Sequence, residues 1–404
     1  MSDSVSILGG YQSDFGDNLA KSGGSVESLV RDTVLATAAD AQIDLTDIDT
    51  IHVGNAFGQL YTGQGHLGAM PATVIPELWG IPAMRHEAAC ASSSMAALSA
   101  MAEIESGRYD CVLVLGVEQE KTMPGPEAAA VQEAAAWVGQ DTEGATYIWP
   151  ETFDALADEY DRRYGLDEMY LRAIGELNLR NAKDNPNAQT RAWQLNADTC
   201  STNDQVNPVV TGRLRRNDIT QITDGAAALI LVSDRWLAAR GRQPRARIAG
   251  WGHRTVGLGL QQKLDRNSDS NLVMPHVNQA ITDAFGRASI GGVDQLDAIE
   301  THDCMTPSEY MAIDHFGITE PGESWKAIED GSLERDGRIP MNPSGGLIGG
   351  GHPVGATGAR MLLDATKQVA GQAGDYQVSN ANRVATLNIG GSTATTACFV
   401  VEGV

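Results

Sequence analysis

The sequence of 404 residues is poor in lysine and contains no long apolar run. Only 6 of its 29 cationic residues are Lys, while acidic residues number 52, so the formal charge is -23. This charge repels nucleic acid phosphates and anionic lipid at long range and argues against a polyanion-binding protein. No run of about 18 apolar residues occurs, and no basic segment followed by an apolar one begins the chain. We therefore expect neither membrane spanning nor secretion.

Cysteine is also scarce, with five scattered residues and no Cys-x-x-Cys pair. An odd number without such spacing argues against a disulfide framework, a zinc pair or a redox pair. The sequence therefore predicts reduced thiols and a cytoplasmic protein. Its 42% hydrophobic and 20% charged residues are typical of a globular chain with a large core.

An internal repeat is visible in the chain. Residues 38–55 read as a helix end, a short loop and a strand, and residues 287–304 repeat that order about 248 positions later. Two further pairs support a duplication, in which each half begins with a strand and mixes strands with helices. These pairs are residues 5–10 with 246–251 and residues 111–117 with 384–389.

Two segments in equivalent places of the halves predict unusual helices. In residues 91–104 and 354–369, small and apolar residues occupy most of the helical circumference. A helix without a wide polar face is normally buried on all sides. We therefore expect a central helical layer between two sheets, with a buried helix in a single-sheet fold as the alternative.

The stretch between the halves has a different character. Phe153, Leu156, Tyr160 and Tyr164 lie at helical spacing, and turn residues are frequent. We interpret this stretch as an inserted lobe on the first half, after which the strand at residues 229–232 resumes the core. The predicted parts are a first half of residues 1–120 with 221–245, an inserted lobe of residues 121–220, and a second half of residues 246–404.

Cys90 is the first candidate for chemistry, because it lies among small residues where the first buried helix is predicted to begin. A thiol at a helix N-terminus feels the positive end of the helix dipole, which lowers its pKa and favours the nucleophilic thiolate. An inert buried cysteine is the alternative.

His302, Asp303 and Cys304 form a second candidate at the end of a predicted strand. If the strand continued, His302 and Cys304 would share a face and present an imidazole and a thiol together. A metal site is the rival interpretation. Adjacent residues rarely bind one ion, and no companion pair lies at zinc spacing, so we predict no metal.

Two glycine-containing stretches complete the candidates. His352 is fixed between Gly351 and Pro353, after a glycine run whose order differs from a dinucleotide-binding fingerprint. It is positioned like a base or an oxyanion donor, with a structural histidine as the alternative. The fourth stretch is a strand that breaks at Gly390 and Gly391, for which a bulge or tight turn is the other interpretation.

Together, the four stretches resemble the active-site loops of the thiolases, and specifically of the sterol-carrier-protein type. The similarity extends from Val5 to about Val401. Two features depart from better-known patterns: Met305 replaces the usual Phe, and Asn388 lies where other thiolases have a Cys-x-Gly. The matching motifs are Cys90-Ala91-Ser92, His302-Asp303-Cys304-Met305, Gly351-His352-Pro353 and Asn388-Ile389-Gly390-Gly391.

This resemblance implies a five-layer α/β fold, αβαβα, and reversible Claisen chemistry of CoA thioesters. Cys90 would carry the acyl group, His352 would take the thiol proton, and Cys304 would move the proton on the α-carbon. His302 and His352 would form one oxyanion hole, and the backbone N–H groups of Cys90 and Gly391 the other. Acetyl-CoA, CoA and 3-ketoacyl-CoA would be substrates, with no metal or redox cofactor.

The densest basic cluster, Arg213, Arg215 and Arg216, is a candidate site for the CoA phosphates, with a solvated surface as the alternative. The resemblance also implies a homodimer or homotetramer, and some archaeal relatives work with a small barrel partner protein. Two other functions share the fold. One is a decarboxylating or hydroxymethylglutaryl-CoA-type condensing enzyme. The other is an acyl-CoA-binding protein or steroid side-chain retro-aldolase, which would be expected to have lost the nucleophile.

Overall fold

The computed structural model describes residues 4–404, which form a nine-stranded mixed sheet, a small two-stranded sheet and the helices around them. The strands are β1 (Val5–Gln12), β2 (Thr50–Gly54), β3 (Ala83–His86), β4 (Cys111–Glu118), β5 (Val209–Thr211), β6 (Leu214–Arg215), β7 (Gly225–Ser233), β8 (Ala246–Thr255), β9 (Ala298–Thr301), β10 (Arg383–Gly390) and β11 (Thr395–Gly403). The helices are α1 (Leu19–Ser22), α2 (Val26–Ala41), α3 (Gly58–Tyr61), α4 (Met70–Val74), α5 (Ser92–Glu105), α6 (Gly125–Val131), α7 (Ile148–Tyr164), α8 (Glu168–Asn181), α9 (Asp234–Arg240), α10 (Leu260–Arg266), α11 (Pro275–Arg287), α12 (Thr306–His315), α13 (Trp325–Glu329), α14 (Gly346–Gly350) and α15 (Thr357–Val369).

The strand order shows the duplication that the sequence predicts. The large sheet runs β3-β2-β4-β7-β1-β8-β11-β10-β9. Outward from its middle, β1, β7, β4 and β2 correspond to β8, β11, β10 and β9, with the same sequence of antiparallel and parallel neighbours. A parallel bridge between Ile299 and Met341 stands where β3 stands in the first half. Each predicted repeat pair therefore occupies equivalent strands.

The layers follow from the helix contacts. α2 packs on β1 and β7 of the first half, and α11 packs on β8 and β11 of the second. α5 and α15 contact each other, and α15 touches strands of both halves, so it lies between them. The five-layer fold is confirmed, with one difference. The two sheets that the sequence predicts are joined into one, because β1 and β8 pair over Ser6–Arg247 and Ile7–Ala246.

The two central helices have the buried surfaces that their composition predicts. α5 begins at Ser92, and only its last turns expose residues; α15 is buried along nearly its whole length. Residues 354–356 form a separate 3-10 turn ahead of α15. Small side chains allow this close packing, because they leave no polar face that would need water.

The lobe packs differently from the prediction. It is inserted between β4 and β7 of the first half, but Phe153, Leu156 and Tyr160 of α7 belong to one apolar cluster with Ile299 and Tyr310 of the second half. Hydrogen bonding adds to this contact, since the Tyr160 hydroxyl donates to Asp314 at 2.9 Å. The prediction that the lobe sits on the first half is therefore incomplete, because its apolar helix faces are covered by the second half. The lobe boundaries themselves remain a prediction.

Within residues 4–404, no helix is both long and apolar enough to cross a membrane. β7 begins at Gly225, four residues before the strand that the sequence predicts, so the glycine-alanine run belongs to the strand.

Candidate active site

Cys90 lies in a tight turn between β3 and α5. Ala89 has a left-handed φ of 50°, and the N–H of Ala91 donates to Ala88 O at 3.0 Å. The Ser92 hydroxyl accepts from the Ala88 N–H at 3.0 Å and donates to Ala89 O at 2.6 Å, which closes the turn. Cys90 stays partly exposed, whereas the other four cysteines are buried. The turn therefore places a partly exposed cysteine two residues before the helix.

His302 and Cys304 follow the end of β9, as the sequence predicts, and because the strand does not continue, their side chains do not share a strand face. β9 ends at Thr301, because the Asp303 carboxylate turns the chain toward α14. It accepts hydrogen bonds from the N–H groups of Leu347 at 2.6 Å and Ile348 at 3.1 Å. Carboxylates are stabilised at such a helix N-terminus. This link ties the loop of His302 and Cys304 to the glycine-rich stretch that precedes His352.

The fourth loop approaches the nucleophile closely. A Cβ on Gly390 would lie 2.2 Å from Ala88 O, so only glycine fits against the turn that carries Cys90. The next residue, Gly391, has a left-handed φ of 61°. Its N–H group and the N–H of Cys90 both act to lower the pKa of the Cys90 thiol, against the larger effect of burial. Two backbone donors therefore converge beside the thiol.

These loops meet in one cavity. The Cys90 sulfur and one ring nitrogen each of His302 and His352 all lie within 4.8 Å of one another. The two imidazole rings are 5.3 Å apart between centroids and nearly perpendicular. Cys304 and Gly391 line the same cavity as Cys90 and His352. The structure thus brings together the five residues that the sequence marks as catalytic candidates.

Hydrogen bonds fix which nitrogen of His352 carries a proton. His352 Nδ1 lies 2.7 Å from the Thr357 hydroxyl, and that hydroxyl donates to Pro353 O at 3.1 Å. Both contacts are satisfied together when the hydroxyl donates to Pro353 O and accepts from His352, an arrangement that puts the hydrogen of the neutral ring on Nδ1. Neutral His352 therefore has its lone pair on Nε2, as a base requires.

His302 has the opposite arrangement. The Ser94 hydroxyl donates to Asn388 Oδ1 at 2.8 Å, so the Asn388 amide directs its NH₂ group at His302 Nδ1, 3.2 Å away. His302 Nδ1 is then an acceptor, and the hydrogen of the neutral ring lies on Nε2. His302 is consequently a hydrogen-bond donor toward the cavity.

Burial keeps all of these groups uncharged. Burial, and next the charge of Glu120, raises the pKa of the Cys90 thiol to about 12. The sequence prediction of a lowered thiol pKa is therefore wrong, because desolvation outweighs the helix terminus. Burial, assisted by the charge of Arg360, lowers the pKa of His352 to about 3. The pKa of His302 is also held well below its usual range by burial, and that of Cys304 well above. The resting pair is a neutral thiol beside a neutral imidazole.

Cys90, His302 and His352 have the donor types and proximity of a zinc site. The donor set fits poorly, however. A ligating imidazole nitrogen must be free of hydrogen, and the Asn388 amide fixes the hydrogen of His302 on Nε2. The sequence expectation of no metal therefore stays a prediction, supported by this arrangement.

Two larger clefts share walls with the Cys90 cavity. The first shares His352, Met305 and Thr220 with it and is also lined by Arg216. The second encloses about 630 Å³ and shares Ala135 and Gly391 with it, and none of its lining residues is Lys or Arg.

The three arginines of the predicted CoA site differ in their surroundings. Arg213 is neutralised by the carboxylates of Asp158 and Asp161, and Arg215 by that of Asp204 at 2.6 Å. Arg216 is exposed, lines the first cleft and forms no ion pair within residues 4–404. Only Arg216 is therefore available to an anionic ligand at that cleft.

Some functional residues carry no visible sequence signal. Ser94 contacts Asn388 and Thr357 contacts His352 by a hydrogen bond, but each is an ordinary helical residue whose partner is revealed only by the fold. Glu120, fully buried, hydrogen-bonds the Val354 N–H at 2.8 Å and so braces the chain just after His352. Thr357 follows Pro353 by four residues, the spacing at which a helical hydroxyl donates to a backbone carbonyl. This spacing is the one local sequence signal for the role of Thr357.

Family models and curated relatives match most of the chain. The model described as thiolase, N-terminal domain, matches residues 5–235, and the one described as thiolase C-terminal domain-like matches residues 261–403. An acetyl-CoA acetyltransferase of Methanothermobacter thermautotrophicus is 32% identical over 400 residues, covering 98% of both chains. Sterol carrier protein 2 of Bos taurus is 26% identical over 380 residues, covering 90% of this chain and 66% of its own length.

Solved structures share the fold over the whole chain. The Ltp2-ChsH2(DUF35) aldolase has a TM-score of 0.76 at 20% identity, covering 100% of this chain and 98% of its own. Human mitochondrial 3-ketoacyl-CoA thiolase in complex with CoA has a TM-score of 0.72 at 15% identity, with the same coverage.

Proposed function

The chain belongs to the thiolase family, and we propose that it is a CoA-dependent thiolase that cleaves and forms 3-ketoacyl-CoA through an acyl group on Cys90. The observation that carries this proposal is the convergence of the Cys90 sulfur with one nitrogen each of His302 and His352 within 4.8 Å. Cys304 in the same cavity supplies a second thiol, which the two-step chemistry requires.

The first step transfers a proton and forms a thioester bond. His352 Nε2 takes the proton of the Cys90 thiol as the sulfur attacks the ketone carbon of a 3-ketoacyl-CoA. The resulting oxyanion is stabilised by the N–H groups of Cys90 and Gly391. Cleavage of the carbon–carbon bond then leaves the acyl group on sulfur and releases the enolate of acetyl-CoA.

The second step concerns the enolate. Its thioester oxygen accepts hydrogen bonds from His302 Nε2–H and from the hydrogen that His352 Nε2 has just gained. Cys304 donates a proton to the enolate carbon, and in the synthetic direction it removes that proton. His352 thus acts first as a base and then as a donor. Free CoA finally gives its thiol proton to the Cys304 thiolate and takes the acyl group from Cys90, whose sulfur regains its proton from His352.

The two clefts offer separate binding sites for the CoA portion and the acyl tail of the substrate. We assign the CoA portion to the first cleft, because Arg216 offers its phosphates a free cation there. The acyl tail belongs to the second cleft, where half of the lining residues are Ala or Gly and none is Lys or Arg. Its volume favours acyl groups larger than acetyl.

A retro-aldolase is the second candidate, since the Ltp2-ChsH2(DUF35) aldolase shares the whole fold. Such an enzyme cleaves a β-hydroxyacyl thioester without consuming CoA and needs no acylated cysteine. The proximity of the Cys90 sulfur to a ring nitrogen of His352, within 4.8 Å, favours the thiolase. The name of that aldolase includes a second component, ChsH2(DUF35), and we propose that this chain can likewise bind a small barrel protein. We also propose that the chain forms a homodimer or homotetramer.

CoA-dependent thiolysis is the experiment that separates these functions. A panel of 3-ketoacyl-CoA substrates is incubated with and without free CoA, and acetyl-CoA release is measured by chromatography. We expect release only with CoA and only while Cys90 is unmodified. Cleavage of 3-hydroxyacyl-CoA without CoA, and no thiolysis of any 3-ketoacyl-CoA, would establish the aldolase instead.

A further inference from the structure

We propose that Ser94 is a positioning residue that holds His302 in its Nε2–H form through the amide of Asn388. This inference rests on the proposed function, because it explains how the oxyanion donor of that reaction is kept available. Ser94 touches neither the substrate nor a reacting atom. Its effect passes through one side chain to the histidine.

The contacts form an unbroken chain across the two halves. Ser94 lies in α5, Asn388 in β10 and His302 just after β9, 294 residues separating the first pair. Ser94 and Asn388 are each 1% exposed, as is His302, so water does not compete for these bonds. The hydroxyl of Ser94 has Asn388 Oδ1 as its acceptor at 2.8 Å. Within residues 4–404 this amide is the only hydrogen-bond partner of the Ser94 hydroxyl, so a flipped amide would leave the buried Ser94 hydrogen without an acceptor, which favours the orientation observed.

The fold keeps space for this contact. A Cβ on Gly358 of α15 would lie 2.2 Å from the Ser94 hydroxyl and 2.8 Å from Asn388 Oδ1. Any larger residue there would push the two groups apart. The central helices therefore meet at the point where the hydroxyl reaches the amide.

Without the Ser94 hydroxyl, the amide orientation is no longer determined. In the native orientation Asn388 Oδ1 would be buried without a donor, which costs about 1–3 kcal/mol. A flipped amide turns Oδ1 toward His302 and accepts a hydrogen from Nδ1. That exchange moves the lone pair of His302 to Nε2, where it faces the enolate oxygen and repels it.

Ser94→Ala tests the inference by two readouts. Nitrogen NMR of protein labelled in histidine should show His302 shifting from the Nε2–H form toward the Nδ1–H form. Exchange of the acetyl-CoA methyl protons with solvent should fall by at least about tenfold, since loss of one oxyanion donor typically costs about 10² to 10³ in rate. Acetylation of Cys90 should be maintained, because it uses the other oxyanion hole.

Ser93→Ala is the matched control. Ser93 is the preceding residue of α5, is equally buried, and loses a hydrogen bond of 2.9 Å from the Ala359 N–H. It has no bond to Asn388, so His302 should keep its Nε2–H form. Asn388→Asp gives a second variant, whose carboxylate accepts from Nδ1 and should enforce the Nδ1–H form.

The inference is overturned if His302 remains Nε2–H in both Ser94→Ala and Asn388→Asp, or if Ser93→Ala shifts it equally. It is also overturned if proton exchange and Cys90 acetylation fall together. Failure of the proposed function looks different. In that case the unaltered protein would not be acetylated at Cys90, while the NMR assignment of His302 could still be made without substrate.

Discussion

Two histidines of one cavity hold their hydrogens on opposite nitrogens, and each orientation is set by a hydroxyl behind it. Thr357 places the lone pair of His352 toward the thiol, and Ser94 acts through Asn388 to direct a hydrogen of His302 into the cavity. Base and donor are thus assigned before substrate arrives. This preorganisation lowers the cost of charge development during the reaction.

The thiol of Cys90 should react with iodoacetamide in proportion to its small thiolate fraction. Because its pKa is raised to about 12, that fraction and the alkylation rate should rise about tenfold per pH unit from about pH 7 to pH 10. Mass spectrometry of the Cys90 peptide measures the rate, with glutathione as the control thiol. A plateau for Cys90 near neutral pH would instead indicate a lowered pKa.

Cys304→Ala should separate the two half-reactions. The thiol at this position moves the α-carbon proton, so the variant should lose exchange of the acetyl-CoA methyl protons with deuterium while keeping acyl transfer to Cys90. Proton NMR follows the exchange. Normal exchange in the variant would move this role to His302 or His352.

Thr357→Val should lower turnover by about tenfold, because the hydrogen bond that fixes the His352 hydrogen is worth about 1.4 kcal/mol. The substitution keeps the shape of the side chain. Thr366→Val is the control, since Thr366 lies in the same helix and makes an equivalent bond to Leu362 O at 2.7 Å. Equal losses in the two variants would indicate general damage to α15.

At the scale of elements, composition predicted the buried helices but not the long-range contacts that attach the loops. The small residues of α5 and α15 indicate buried helices, and both are found. The attachment of the loop after β9 was not predictable, because the Asp303 carboxylate finds its donors 44 and 45 residues away in α14. Local sequence patterns do not reveal a hydrogen-bond partner that lies so far away in the chain.

The first cleft supplies a prediction at this scale. Arg216→Ala should raise the KM for acetyl-CoA about fivefold with little change in kcat, because one exposed charge-assisted contact to phosphate is worth about 1 kcal/mol. Steady-state kinetics measures both constants. Arg213→Ala is the control, since its guanidinium is already neutralised by acidic side chains. A larger KM effect from Arg213 than from Arg216 would reverse the assignment.

At the scale of the whole molecule, the duplication was readable because equivalent strands keep similar sequences. β1 and β8, β4 and β10, and β2 and β9 are the pairs that the repeat predicts, and the resemblance to the thiolases is confirmed. The packing of the lobe was not readable. Its apolar stripe at Phe153, Leu156 and Tyr160 indicates a buried face, but not which half covers it.

The candidate site, like the fold, was predictable from the sequence only in part. Motifs predicted which loops meet, whereas the proton positions on the two histidines and the raised pKa of Cys90 depend on partners and burial that arise only on folding. Sequence patterns record residue types and spacing. Desolvation and hydrogen-bond direction are properties of the assembled interior.

The central claim is that Cys90 carries the acyl group, and peptide mapping after brief incubation with acetyl-CoA tests it most directly. The account predicts one added acetyl group, located on Cys90 and removed when free CoA is supplied. Cys200, which is buried away from the cavity, should remain unmodified and serves as the internal control. Acetyl found on another cysteine, with Cys90 free and CoA-dependent turnover intact, would contradict the account.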